Sequence, residues 1–238
     1  MICFNTKQKI YPDGFVRQVS CSFPVFSLHE AGEREEKTEH KPKDMSNAVR
    51  DDSVKRAMEM IFDIAALNPF THFVTWTLDI KKVDRYDPSA VKKKIRNFLH
   101  NMQKRYNLMY LVVPEEHKDG AIHFHGLVAG RLVLVDSGHK DEKGHVIYNM
   151  PQWTLGFSTA IELYGDRLFV AVYITKYITK DAKKIFGSFY FSGGGVVRKP
   201  QTVYRQLEYD QINCEEFRKV YGYKYVGFRK DEDETFDL

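Results

Sequence analysis

The stretch that most constrains the fold runs from Leu108 to Ala129. Leu108–Glu115 and Ala121–Ala129 are apolar, β-branched runs, and His117-Lys118-Asp119-Gly120 between them is turn chemistry. Two strands joined so closely pair antiparallel. Side chains alternate across a strand, so Leu111, Val113 and Glu115 share one face. His123 and His125 likewise share a face, about 6.5–7 Å apart along the strand, and Phe124 points to the opposite, apolar side. A turn centred near Asp119 brings Glu115 opposite or close to His123.

The flanking sequence extends this hairpin into a domain. Phe73-Val74-Thr75-Trp76-Thr77-Leu78 reads as a buried strand. Pro88 opens a helix through about Tyr106, with Val91, Ile95, Phe98, Leu99 and Met102 inward. A fourth strand is expected near Phe157–Tyr164 and a helix from about Asp166 to Lys184. An earlier helix is expected over Ser46–Leu67, ended by Asn68-Pro69. The order strand, helix, strand, strand, strand, helix predicts an α+β fold: a central, mostly antiparallel sheet with helices packed on it, ferredoxin-like or RRM-like. We divide the chain into 1–45 (strands turning at Pro12-Asp13-Gly14, then a polar loop), 46–204 (the main domain) and 205–238 (an extension whose acidic tail is expected to be disordered).

Charge points to a polyanion partner. The net charge is +4, but five acids fall in the last eight residues, so the rest of the chain carries +9. Val91–Tyr106 holds six Lys/Arg and no acid, Lys93 and Arg96 among them; Lys176–Lys199 holds six against the single Asp181. Gly193-Gly194-Gly195, with Arg198 and Lys199 beside it, is either a phosphate-contacting loop or a plain turn. No apolar run approaches the roughly 18–20 residues of a membrane helix, and the first residues lack a signal-peptide core, so a membrane or secreted protein is not expected. Cys3, Cys21 and Cys214 lie far apart, which fits free thiols in a reducing compartment.

Two groups of residues suit chemistry. Glu115 with His123 and His125 offers a mixed oxygen and nitrogen donor set that fits Mg²⁺ or Mn²⁺; Glu116 and His117 lie close enough to substitute. In Tyr173-Ile174-Thr175-Lys176-Tyr177-Ile178-Thr179-Lys180, Tyr173 and Tyr177 stand one helical turn apart, with Lys176 and Lys180 on the adjoining face. A phenol is a poor nucleophile until a cation stabilises its phenolate, and a lysine or a metal supplies that. Thr75 and Thr77 read as strand formers rather than site residues.

A metal site on a central sheet followed by Tyr-x-x-Lys on a helix resembles the HUH endonucleases. More narrowly it resembles the rolling-circle replication initiators (Rep proteins) of small single-stranded DNA phages and plasmids. Phe73–Asp79 is similar to the first motif of that family, Val113–Leu127 to its metal motif, and Tyr173–Asp181 to its tyrosine motif. The resemblance covers residues of about 50–200 and follows the Rep order, metal before tyrosine. It implies an HUH core that cuts one strand at an origin, leaving a 5′-phosphotyrosine and a free 3′-OH. It implies His123, His125 and Glu115 as ligands, Tyr177 as first nucleophile with Tyr173 as a possible second, and Lys180 and Lys176 as charge stabilisers. Single-stranded or hairpin origin DNA, a host helicase, a DNA polymerase and the host bacterial cytoplasm follow as expected partners and location. No Gly-x-x-x-x-Gly-Lys-Ser/Thr loop is present, so no helicase domain is expected. The competing readings are an HUH transposase-like nickase and a non-catalytic RRM-like single-strand binder.

Overall fold

A computed structural model describes residues 2–27, 51–179, 184–207, 223–229 and 232–236. In chain order the elements are β1 (Ile2–Ile10), β2 (Phe15–Ser27), α1 (Asp51–Leu67), β3 (His72–Leu78), α2 (Pro88–Tyr106), β4 (Met109–Glu116) and β5 (Ile122–Ala129). They continue with β6 (Val135–Lys140), β7 (Val146–Asn149), β8 (Gly156–Glu162), α3 (Arg167–Thr179), β9 (Phe191–Gly193), β10 (Gln201–Arg205), β11 (Tyr223–Arg229) and β12 (Glu232–Phe236). The chain is α+β and divides into two compact units, residues 48–199 and residues 1–47 with 200–238.

The larger unit is built on a seven-stranded sheet in the order β6-β7-β8-β3-β5-β4-β9, antiparallel throughout its described pairings. Its central hairpin has the register set by the turn: Glu115 faces His123 and Val113 faces His125. Gly120 sits in that turn at φ +84°, a conformation glycine adopts without strain. Pro114 lies within β4, yet β9 pairs only with Tyr110, Leu111 and Val112. Beyond that point β4 is an edge, where a missing N–H loses no ladder bond.

One face of the sheet is sealed by α2. Asp87 caps this helix by accepting from the Ser89 amide at 2.8 Å, Pro88 occupies its first turn, and Asn107 ends it in the left-handed conformation. Its inward residues Val91, Ile95, Phe98, Leu99 and Met102 pack on Val74, Trp76, Leu78, Val112, Phe124 and Val128. Trp76 and Trp153 stack at 5.0 Å, and Phe98 meets both edge-on. The other face is where α3 packs against β4 and β5, with α1 against α3.

The smaller unit is a five-stranded sheet in the order β10-β1-β2-β11-β12. Its strands come from both ends of the chain: Thr6 pairs with Arg205, and Tyr223 with Cys21. The acidic end was expected to lack fixed structure. Glu232–Phe236 instead forms β12, with Phe236 opposite Gly227 and Thr235 opposite Phe228. Backbone pairing there takes up hydrogen bonds that a purely charge-based reading ignores. The polar segment 29–45 lies outside the described residues, as does the stretch 180–183 of the helix expected to reach Lys184. Among the described residues no helix is long and apolar enough to cross a membrane.

Candidate metal centre and tyrosine pair

Three central strands place the polar groups in two rows on the face opposite α2. Glu115, His123 and Thr77 form one row, and Val113, His125 and Thr75 the next. Alternation sends Phe124, fully buried, into the core between the two histidines.

Glu115 Oε2 lies 2.9 Å from His125 Nε2 and 3.2 Å from His123 Nε2, and the two Nε2 atoms are 3.0 Å apart. Donors mutually about 3 Å apart match adjacent corners of an octahedron with bonds of about 2.1 Å; a tetrahedron of equal bonds spreads them to about 3.4 Å. The residues present therefore fit a divalent cation held on one triangular face of its coordination shell. Glu115 and His123 are nearly buried, which keeps bulk water off these donors. Burial, then the neighbouring His117 charge, lowers the His123 pKa against the opposing pull of Glu115. The imidazole is thus neutral at neutral pH, as a ligand must be. Thr75 Oγ1 lies 3.1 Å from His125 Nδ1 and fixes that ring from behind.

The cleft over these donors has a volume of about 1020 Å³ and is also lined by Thr77, Glu116, His117, Lys118, Asp119 and Tyr177. Tyr177 comes from α3, and its ring stacks on the His125 imidazole at 3.9 Å. Its hydroxyl donates to the Tyr173 hydroxyl at 2.8 Å. Tyr173 does not line the cleft; it stands one hydrogen bond away, nearly half exposed. Phe73 holds the group together, with its ring 5.9 Å from His125, 5.4 Å from Tyr173 and 5.9 Å from Tyr177. Burial raises the Tyr177 pKa far above that of a free phenol, and the Tyr173 hydrogen bond and the Glu115 charge add to the shift. These neighbours all disfavour the phenolate, so a cation at the donor triad would have to supply the opposing charge.

Other residues singled out from the sequence fall elsewhere. Lys176 Nζ lies 5.6 Å from the Tyr173 ring, so it stands by that tyrosine. Lys180 is outside the described residues. Lys93 and Arg96 are exposed on α2, which packs on the sheet face opposite the donors. Arg198 donates to the Ser192 carbonyl at 3.0 Å, and Lys199 is exposed beside it. Thr75 and Thr77, read as strand formers, turn out to border the donors. Phe73, Thr75 and Thr77 share a face by simple alternation, the signal that could have placed them at the site.

The family described as Replication-associated protein ORF2 matches residues 71–182, which hold β3, the donor hairpin and the tyrosine pair. No curated protein and no solved structure matches the chain. Across residues 71–182 the chain is that of a Rep-type replication-associated protein, and a role in initiating replication follows from that match.

Proposed function

We propose that this protein is a metal-dependent endonuclease that nicks one DNA strand at a replication origin and stays joined to it through Tyr177. The observation that carries the reading is the stacking of Tyr177 on His125, one of the three metal donors, in a shared cleft. Glu115, His123 and His125 would hold Mg²⁺ or Mn²⁺. That ion would act as a Lewis acid on a phosphate oxygen and lower the cost of a phenolate nearby.

The chain's own groups account for the remaining steps. Tyr177 Oη attacks the phosphorus, and its proton passes to the Tyr173 hydroxyl, which releases its own to solvent. The bond to the 3′ oxygen breaks, and that oxygen takes a proton from water to become a free 3′-OH. The 5′ phosphate remains on Tyr177 as a phosphodiester, so the reverse attack by a 3′-OH rejoins the strand. Tyr177 ranks first because it lines the cleft; Tyr173 serves as proton acceptor or second nucleophile. Lys93, Arg96, Arg198 and Lys199 supply phosphate contacts away from the donors. The free 3′-OH primes a polymerase, and strand separation falls to a separate helicase.

The test is a covalent adduct on single-stranded origin oligonucleotides with Mn²⁺, resolved on a denaturing gel. Adduct should form with the wild type, fall to background in Tyr177→Phe, and vanish on chelation. A non-catalytic single-strand binder predicts retained affinity and no adduct in every lane. Undiminished adduct in Tyr177→Phe overturns the ranking of the tyrosines.

A further inference from the structure

The donor row continues past the cleft. Glu115 pairs with His123, His123 with Thr77, and Thr77 with Phe157 on β8, so all four side chains leave the same face of the sheet. Phe157 is 75% exposed, the most exposed large apolar side chain among the described residues. Its neighbours in sequence, Ser158 and Ala160, face the core opposite Trp76 and Val74, so the exposure of Phe157 follows from strand alternation. With strands about 4.8 Å apart, Phe157 stands two strands, or about 10 Å, from His123. α3 covers β4 and β5 but leaves this part of the sheet bare.

The surroundings of Phe157 fit a nucleic-acid strand better than an apolar partner. Thr77 and exposed Thr159 border it with hydroxyls. Exposed Lys81 and Lys82 follow β3 at the same end of the sheet, where the Asp79 amide bonds the Leu155 carbonyl and Lys82 Nζ the Thr154 carbonyl at 3.0 Å. A lone exposed ring amid hydroxyls and lysines is the composition of a base-stacking platform, and it is too small and too polar at its rim for a protein interface.

We infer that Phe157 stacks a base of single-stranded DNA lying beside the nucleotide held at the Glu115–His123–His125 donors, and so sets how the strand enters the cleft. This rests on the proposed nicking role for its position, although stacking itself needs neither metal nor cleavage.

The experiment uses the full chain with fluorescein-labelled oligo(dT) in chelator, so that no chemistry occurs. Phe157→Ala should weaken binding about tenfold, the size of one base–aromatic stack. Phe157→Trp should retain affinity, and its introduced indole should be quenched on binding. Both native tryptophans, Trp76 and Trp153, are buried, so the quenching reports position 157. Unchanged affinity in Phe157→Ala overturns the inference, as does a loss of affinity without quenching in Phe157→Trp. The adduct assay is read separately. Adduct formation with no dependence on Phe157 sinks the stacking alone; stacking without any adduct sinks the nicking role alone.

Discussion

The two faces of the seven-stranded sheet are made by the same strands and do opposite work. On the α2 face, Trp76, Phe98, Phe124 and Trp153 interlock with aliphatic residues and exclude water. On the other face, two imidazoles and a carboxylate crowd within hydrogen-bonding distance, a phenol lies over one of them, and Phe157 is left bare. In β5 the division is drawn at single-residue resolution, with Phe124 facing one way and His123 and His125 the other. Strain and desolvation concentrated among the titratable groups can then be tolerated, because burial on the far side of the same strand holds the backbone in place.

Substitutions on the two faces should therefore separate stability from chemistry. Phe124→Ala should cost about 3–5 kcal/mol in denaturant unfolding, since it empties a fully buried site. Tyr177→Phe on the opposite face should change stability by less than about 1 kcal/mol, because it removes one partly exposed hydrogen bond. Equal costs would mean that the faces are not independent. His123→Ala should lower divalent-metal affinity by more than about a hundredfold, beyond the usual effect of losing a partner behind a ligand. Thermal melts should then lose the rise in Tm that Mn²⁺ gives the wild type.

Smaller effects sharpen the same contrast. Thr75→Val keeps the shape of the side chain and removes only the hydroxyl beside His125 Nδ1, so metal affinity should fall about tenfold with the fold intact, as read by calorimetric titration. Replacing Lys93 and Arg96 with alanine should leave adduct yield at low salt unchanged. It should flatten the salt dependence of DNA binding by about one counterion per residue. A fall in adduct yield at low salt would tie the α2 face to the chemistry and break the division.

Much of the site could be read from the sequence because it lies in a hairpin. A short turn fixes register, and alternation then fixes which side chains meet, so Glu115 opposite His123 followed from local rules. The helical spacing of Tyr173 and Tyr177 was legible for the same reason. The tertiary contacts were not. Thr75 and Thr77 suit a strand whether or not they border a metal, so propensity hid their role. Phe73 touches His125 and both tyrosines only because α3 returns over β3, which no local pattern encodes. The pairing of β1 with β10, Thr6 against Arg205, is farther still along the chain and leaves no mark in either segment alone.

The claim on which the rest depends is that Glu115, His123 and His125 hold one ion. Titration of the protein with Mn²⁺, followed by electron paramagnetic resonance on histidine labelled with ¹⁵N, tests it most directly. The account predicts one tightly held ion per chain, coupled to two imidazole nitrogens, with one coupling lost in His123→Ala and the other in His125→Ala. Binding without nitrogen coupling, or no tight binding at all, would contradict it.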